Sequence, residues 1–293
     1  MSPQTVRVSL VVTTLGRTTQ LERLFESLVV QDYKSFEVIV VDQNSDDRLG
    51  YLFERDRWPF ALTRIHTPSA RGLSRGRNVG WRSAKGEWIV FPDDDCWYPS
   101  WFLSRASQLM SASDADILTG RAADENGHDI NGRYSQEAHV IDRSNVWVSG
   151  IEWVMFFKRA ALLSVGGFDE SVGIGASTPW QSCEGQDILL KALASGLSCR
   201  FDPSLYGHHE RFEAMATELR RSKGRAYGRG LGYVLRKHHY SILDILYWAG
   251  RPMLKLMVRG LVGDVNECVY LWNVACGRLE GYVGLVWGSR RLA

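Results

Sequence analysis

Three consecutive aspartates, Asp93, Asp94 and Asp95, are the residues of this chain whose type and spacing best suit chemistry. They follow a short apolar run at 88–91 and a proline, a pattern that predicts a buried strand ending at a breaker. Carboxylates crowded there repel one another unless a cation lies among them, and oxygen ligands of this kind suit Mg²⁺ or Mn²⁺. The alternative is a solvated acidic turn, which the flanking aromatic residues disfavour: Phe91, Trp97, Tyr98 and Trp101.

Apolar runs and helical spacing alternate along the first hundred residues. They predict strands at 6–12, 36–41, 62–67 and 87–91, separated by a helix that starts at a Thr19–Glu22 capping box and by helices at 46–57 and 71–83. Further strands are predicted at 116–121, 147–158 and, as an edge strand, 198–201. This alternation indicates βαβ units and a parallel sheet with right-handed crossovers.

Such a sheet would bring scattered polar residues to one edge. Thr13 and Thr14, with Arg17 in the same turn, follow the first strand; Asp42 and Asn44 follow the second; the aspartates follow the fourth. Open α/β sheets bind ligands at the carboxyl edge of their strands. We therefore expect these residues to lie together and to contact a nucleotide.

The segment 71–78, RGLSRGRN, belongs to the same edge. Its arginines could pair with phosphate oxygens, and its glycines would allow backbone N–H groups to approach a diphosphate. A solvated basic helix start is the alternative. Beside an acidic metal cluster, the pattern favours a metal-bridged nucleoside diphosphate held by Arg71, Arg75 and Arg77.

Other nucleotide-binding classes fit poorly. The first strand-to-helix turn is TTLGR rather than GxGxxG, and no GxxxxGK[ST] segment occurs. A phosphatase of the DxD type would carry its aspartates after the first strand rather than the fourth.

A second block with chemical potential is CEGQDILL, in which Glu184 and Asp187 lie three residues apart at a predicted helix start. Acids that simply cap the helix are the alternative. The pair His208 and His209 follows the strand at 198–201, and it could bind metal or lie on a polar surface.

The segments VSLVVTTLGR, FEVIVVDQNSDD and RGLSRGRNVGWRSAKGEWIVFPDDDCWYP resemble glycosyltransferase family 2 over about residues 6–209. The resemblance implies the GT-A fold, a Rossmann-like, mostly parallel sheet flanked by helices, and inverting transfer of a hexosyl or deoxyhexosyl group from a nucleotide-sugar. It implies that Thr13 and Asp42 line the base and ribose pocket and that Arg77 and Asn78 lie near the nucleotide. Asp93 and Asp95 would be the DxD acids, with Asp95 a direct metal ligand. His208 or His209 would lie near the metal or the diphosphate.

The family's Glu-Asp-x-Asp-Leu motif, whose carboxylate deprotonates the acceptor, resembles the block at 184–189 except that Gly185 stands where the aspartate is usual. Two bases remain open, Glu184 first and Asp187 second. A sugar-nucleotide-binding protein without transfer activity and a sugar-1-phosphate nucleotidyltransferase are the rival functions. The latter is disfavoured because the first turn lacks a glycine-rich basic segment.

Composition sets the remaining expectations. Five cysteines without a CxxC pair indicate thiols in a reducing compartment, and the N-terminus shows no secretory pattern, so we expect a cytoplasmic protein. Residues 1–210 are expected to form the catalytic domain, with a nucleotide-binding half (1–100) and an acceptor half (101–210) that includes the loop 124–145. Residues 211–293 are expected to be a helical extension.

This extension is basic, with 11 Lys and Arg against 3 acids at 211–259, and amphipathic. It suits the surface of an anionic membrane, with a polyprenyl-linked saccharide as acceptor. Packing on the catalytic domain or a second copy is the alternative. Nucleic acid is disfavoured because no binding module accompanies the charge.

Overall fold

The computed structural model describes residues 7–210 and 217–287; Val6, the predicted start of the first strand, and the ends of the basic extension at 211–216 and 288–293 lie outside them. Eight strands and eight α-helices occur in the described residues. The strands are β1 (Val8–Thr14), β2 (Phe36–Asp42), β3 (Ala61–His66), β4 (Trp88–Val90), β5 (Ile117–Ala122), β6 (His139–Val140), β7 (Phe156–Lys158) and β8 (Cys199–Gly207). The helices are α1 (Thr19–Val29), α2 (Leu73–Ser83), α3 (Phe102–Ser111), α4 (Arg159–Val165), α5 (Glu184–Ala194), α6 (Thr217–Lys237), α7 (Ile242–Leu261) and α8 (Val265–Val283).

The strands form one sheet in the order β3-β2-β1-β4-β7-β5-β8-β6. The first four strands in this order are parallel to one another, β5 and β8 are also parallel, and β7 and β6 run antiparallel to their neighbours. Every residue of β1 and β2 is buried, as expected for strands covered on both faces. The expected α/β class with a mostly parallel sheet is confirmed.

Helix α1 confirms the predicted apolar face, because Leu21, Leu24, Phe25 and Leu28 are all buried. The capping box is wrong: the helix begins after Thr18, and no side chain caps it.

The polar helix expected at 46–57 is also wrong, since only the 3₁₀ turn Gly50–Phe53 forms there. The Asp46 carboxylate instead accepts hydrogen bonds from the backbone N–H and the guanidinium of Arg48. Such local side-chain bonding competes with a helix.

Two later strand predictions need correction. Only Phe156–Lys158 of the span 147–158 is a strand, and 3₁₀ turns occupy Val146–Val148 and Glu152–Val154. The predicted edge strand is the interior strand β8, which β5 and β6 flank. The short strand β6, within the loop 124–145, forms that edge of the sheet.

The described chain forms two compact units. Unit 1 comprises Met1–Phe168 and Ile188–Phe212, and unit 2 comprises Asp169–Asp187 and Glu213–Ala293. Unit 1 holds the sheet and its core. Unit 2 joins α6, α7 and α8 to the segment 169–187, which contains the start of α5.

Close packing of α6 against α8 organises unit 2. A Cβ atom at Gly228 would lie 2.6 Å from the carbonyl oxygen of Val274, and one at Gly232 would clash with that of Arg278. The GRGLG segment of α6 is thus a helix-packing surface. Along the same pair of helices, Glu280 of α8 is fully buried and pairs with Arg225 and Arg229 of α6.

Much of the basic charge predicted to face a membrane therefore lies inside unit 2. Arg220 likewise pairs with the buried Glu267 at 2.8 Å. Within the described residues, no helix combines the length and apolar content needed to cross a bilayer.

Candidate active site

The ends of β1, β2 and β4 meet at one edge of the sheet in unit 1. Thr14 is in register with Asp42, and Thr13 forms an isolated parallel bridge with Asp93. The structure therefore brings together the residues that the sequence placed after these three strands. The Thr13 hydroxyl is buried there and has no hydrogen-bond partner among the described residues.

Each of the three aspartates pairs with cationic or polar side chains of unit 1. Arg77 lies 3.1 Å from Asp93, and the Thr14 hydroxyl donates to Asp94 at 2.7 Å. Arg17 bridges Asp94, at 3.0 Å, and Asp95. The protein thus supplies its own counter-charges to a cluster that would otherwise repel itself.

His209 completes the acid cluster. Its Nε2 lies 2.9 Å from Oδ1 of Asp95, and ligand atoms of Asp93, Asp95 and His209 all lie within 4.8 Å of one another. His209 reaches this place because the backbones of Trp97 and His208 pair, which ties the end of β8 to the segment that follows the aspartates.

The two histidines have different surroundings. Nδ1 of His208 lies 2.9 Å from the carbonyl oxygen of Ala123, and the residue is buried. Of the two candidates, the structure brings His209 and not His208 into the acid cluster.

Burial and charge separate the pKa values within the cluster. Burial raises the pKa of Asp93, and it raises that of Asp94 to about 6 against the opposing effects of Arg17 and Thr14. Burial also acts to raise the pKa of Asp95, but His209 and Arg17 outweigh it and lower the value to about 2. Burial acts to lower the pKa of His209, but Asp95 outweighs it and raises the value to about 9. Asp95 and His209 therefore form a charged pair at neutral pH.

Asp42 and Asn44 lie in a hydrogen-bonded turn beside the cluster. Asp42 is fully buried, and it accepts bonds from Arg64 at 2.6 and 3.0 Å and from the backbone and side chain of Asn44. The Asn44 side-chain oxygen in turn accepts from the backbone N–H of Gly16 at 2.7 Å. These bonds connect the turns after β1 and β2.

The segment 71–78 divides between surface and core. Arg71 and Arg75 are exposed, whereas Arg77 and Asn78 are buried within α2. The Asn78 side chain bonds both backbone groups of Phe168, at 2.9 and 3.0 Å. The glycine at 76 allows α2 to approach β1, because a Cβ there would clash with the Thr13 side chain. This glycine thus serves helix packing, which is not what its place beside the arginines suggested.

The carboxylates at the start of α5 lie in unit 2. Glu184 and Asp187 are both buried, at 6% and 1% exposure. Both oxygens of Asp187 are engaged: Oδ1 lies 2.7 Å from Nε2 of His238 and Oδ2 lies 2.9 Å from Nζ of Lys237. Lys237 also bonds Asp169 at 2.7 Å. Two carboxylates, a lysine and a histidine thus form one partly buried network, with Asp187 at its buried centre.

Several residues of these sites were missed from the sequence. Lys237 and His238 are about 50 positions away from Asp187, and no local pattern connects them. Arg23, on the polar side of α1, lies 4.0 Å above the ring of Trp97 and donates to the carbonyl of Asp95 at 3.1 Å. No sequence motif includes Arg23.

With this geometry established, comparison with known proteins identifies the family. Residues 9–171, more than half of the chain, match the family described as glycosyl transferase family 2. The chain belongs to glycosyltransferase family 2. The resemblance seen in its sequence blocks is thereby confirmed.

Individual relatives match over shorter stretches. An uncharacterised glycosyltransferase of Haemophilus influenzae is 37% identical over 93 residues, 31% of this chain and 31% of that protein. The Staphylococcus aureus poly(ribitol-phosphate) β-N-acetylglucosaminyltransferase TarS is 28% identical over 129 residues, 43% of this chain and 22% of TarS. A Campylobacter jejuni GalNAc(5)-diNAcBac-PP-undecaprenol β-1,3-glucosyltransferase is 26% identical over 184 residues, 59% of this chain and 58% of that enzyme. Each match thus spans less than two thirds of the relative.

Solved structures share the fold over nearly the whole chain. TarS 1–349 superposes with a TM-score of 0.56 at 18% identity, covering 96% of this chain and 93% of TarS 1–349. A mannosyltransferase from Pyrobaculum calidifontis, solved with GDP-Man and Mn²⁺, gives a TM-score of 0.62 at 17% identity, covering 93% and 87%. These likenesses identify the GT-A fold, as expected.

Proposed function

We propose that this chain is an inverting glycosyltransferase that moves a sugar from a nucleoside-diphosphate sugar to an acceptor hydroxyl. The observation that supports this most directly is the convergence of Asp93, Asp95 and His209 at the carboxyl edge of the sheet, in a member of glycosyltransferase family 2. The nucleotide-sugar is proposed because relatives of this fold were solved with such ligands, among them UDP-GlcNAc and GDP-Man.

The acid cluster fits a divalent cation. Two carboxylates and an imidazole, with ligand atoms within 4.8 Å of one another, are a donor set that Mn²⁺ or Mg²⁺ accepts. We assign Asp93, Asp95 and His209 as the residues that would hold it, with the ion displacing the proton from the His209 imidazole. A bound ion would offset charge that develops on the leaving diphosphate.

The neighbouring residues would then bind the donor. Arg17 forms ion pairs with Asp94 and Asp95. When a metal ion binds these carboxylates in its place, the Arg17 guanidinium would become available to phosphate oxygens. The exposed Arg71 and Arg75 are further candidates for phosphate contacts. The Thr13 hydroxyl is buried without a hydrogen-bond partner in the described part of the chain, and Asp42 bonds Asn44 in the turn after β2. We propose that the nucleoside binds beside these two turns.

We assign Glu184 as the general base and Asp187 as a positioning residue. In the proposed displacement, the acceptor oxygen bonds to the anomeric carbon, the bond from that carbon to the diphosphate oxygen breaks, and the acceptor proton passes to Glu184. Asp187 is less suited to accept it, because its two carboxylate oxygens already bond Lys237 and His238. Its buried network would hold the start of α5 in place.

The acceptor is proposed from the relatives. Their names describe transfer to a poly(ribitol-phosphate) and to an undecaprenol-diphosphate saccharide, so we propose a polymer or lipid-linked saccharide. A lipid-linked acceptor would place the enzyme at a membrane surface. The loop 124–145 is a candidate for acceptor contacts, since Asn131 bonds the backbone of Glu210 next to His209 at 3.0 Å.

Separate measurements of donor binding and turnover test this function. Calorimetry with UDP-, GDP- and dTDP-sugars in Mn²⁺ should identify a donor, and release of the nucleoside diphosphate to water or an added acceptor should report turnover. Glu184→Gln should retain donor binding and lose about 10²- to 10⁴-fold in turnover. Glu218→Gln, at an exposed carboxylate of α6, is the matched control.

Three results would contradict the proposal. If no nucleotide-sugar binds, the donor assignment fails. If the native chain binds a donor but never turns it over, it is a sugar-nucleotide-binding protein. If Asp187→Asn abolishes turnover at an unchanged KM while Glu184→Gln does not, the base is Asp187.

A further inference from the structure

Helix α7 in unit 2 is apolar on two opposite faces. Ile245, Ala249 and Pro252 are buried on its inner face. Its outer face, which comprises Leu243, Leu246, Tyr247, Leu254, Met257 and Leu261, is exposed, with exposures from 55% to 89%. At 100° per residue these side chains cover an arc of roughly 100°. A helix with apolar side chains on two faces is expected to be covered on both of those faces.

The apolar surface continues around the turn into α8. At the turn itself Leu261 is 89% and Val262 is 70% exposed, and Val265 follows at 68%. An open apolar groove of about 310 Å³ lies there, between Leu256 of α7 and Val269 and Trp272 of α8. The outer face and this turn form one surface, called here the hairpin face.

The exposed charges beside the hairpin face have one sign. Among the described side chains of α7 and α8, the exposed ionisable groups are Arg251, Lys255 and Arg259, spaced four residues apart. Glu267 and Glu280 are buried, and Glu267 pairs with Lys255 at 3.3 Å. The half-buried Asp244 and Asp264 accept capping hydrogen bonds at the starts of α7 and α8. The surface therefore combines apolar side chains with cations and presents no exposed carboxylate.

We propose that the hairpin face docks on an anionic lipid surface, with α7 in the plane of the interface and the α7–α8 turn inserted among the acyl chains. Apolar residues, flanking arginines and the aromatic residues Tyr247 and Trp272 are the composition of an interfacial helix. The proposal goes beyond sugar transfer and would hold whether or not the chain is active.

A second copy of the chain fits this surface less well. Two apposed hairpin faces would bring Arg251, Lys255 and Arg259 near their own counterparts with no exposed acid on α7 or α8 to meet them. The most exposed apolar residue described, Leu261, also lies at a turn, whereas a helix pair buries a straight stripe along both helices. An anionic bilayer accommodates both the turn and the cations.

Vesicle flotation of the full chain tests the proposal. The native protein should float with vesicles of 70% phosphatidylcholine and 30% phosphatidylglycerol, and less with phosphatidylcholine alone. Leu254→Glu combined with Leu261→Glu should lower the bound fraction about tenfold or more, because it places charges in the interface. Arg251→Gln with Arg259→Gln should reduce the preference for anionic vesicles and its sensitivity to salt.

Leu163→Glu is the matched control, since Leu163 of α4 in unit 1 is 63% exposed. It should float as the native chain does, and unchanged melting temperatures should show that all variants fold. If the native chain does not float, or if the Leu254 and Leu261 variant floats equally, the proposal is wrong. If light scattering shows a native dimer that this variant separates, and neither floats, the hairpin face binds a second copy instead.

Discussion

Two groups of buried or half-buried carboxylates, one in each unit, use their counter-charges differently. In the acid cluster of unit 1, Arg17 and His209 pair with partly exposed aspartates. A metal ion could replace these cations beside the aspartates, and a phosphate could then bind Arg17. In unit 2, Asp187 is almost wholly buried between Lys237 and His238. The comparison indicates that carboxylates at an open edge suit ligand exchange, whereas the carboxylate of a closed network holds a structure in place.

The largest expected effect separates two neighbours within the acid cluster. Asp95→Asn should remove Mn²⁺-dependent donor binding and lower turnover about 10³-fold, because it deletes a proposed metal ligand. Asp94→Asn should have a smaller effect, since Asp94 lies outside the proposed ligand set and bonds Thr14 and Arg17. Calorimetry with and without Mn²⁺ measures both variants. Equal losses of donor binding in the two variants would show that the aspartates act only through the total negative charge of the cluster.

A smaller effect is expected from opening the unit 2 network. Asp187→Ala should lower the free energy of unfolding by about 3 kcal/mol. The reason is that the half-buried Lys237 loses one of its two carboxylate partners. Lys237→Met should reduce that loss when the two changes are combined, as residues in one network are not additive. Urea denaturation of the single and double variants gives the coupling. Additive losses would contradict the closed network.

The smallest expected effect concerns acid stability at the rim of the same network. Burial acts to raise the pKa of Asp169, but Lys237 and Ser171 outweigh it and lower the value from 3.8 to about 2. A lowered pKa in the folded state stabilises the protein fully above about pH 4, and this contribution is lost as pH falls towards 2. After allowance for partial exposure it is about 1 kcal/mol.

The stability difference between the native chain and Asp169→Asn should therefore shrink between pH 5 and pH 2.5. Urea denaturation at a series of pH values measures it. A difference that stays constant over this range would show that the Asp169–Lys237 pair does not stabilise the fold.

Local sequence patterns predicted much of unit 1. The apolar runs gave the first four strands within two residues of their observed bounds, and the polar residues that follow β1, β2 and β4 meet at one edge. Strand composition is a local property, and a parallel sheet brings strand ends together. The same patterns predicted a helix at 46–57, where Asp46 and Arg48 bond locally instead.

The sequence by itself determined the four parallel strands β1 to β4, the clustered aspartates, the helix that starts at Glu184 and the family. The tertiary structure decided which histidine lies beside Asp95 and which cations pair with Asp187. It also decided that most basic side chains of α6 pair with acids, and that the exposed apolar face lies on α7. These outcomes join residues about 50 to 110 positions apart. Periodicity specifies a strand or a helix face, but only packing selects the distant side chain that meets it.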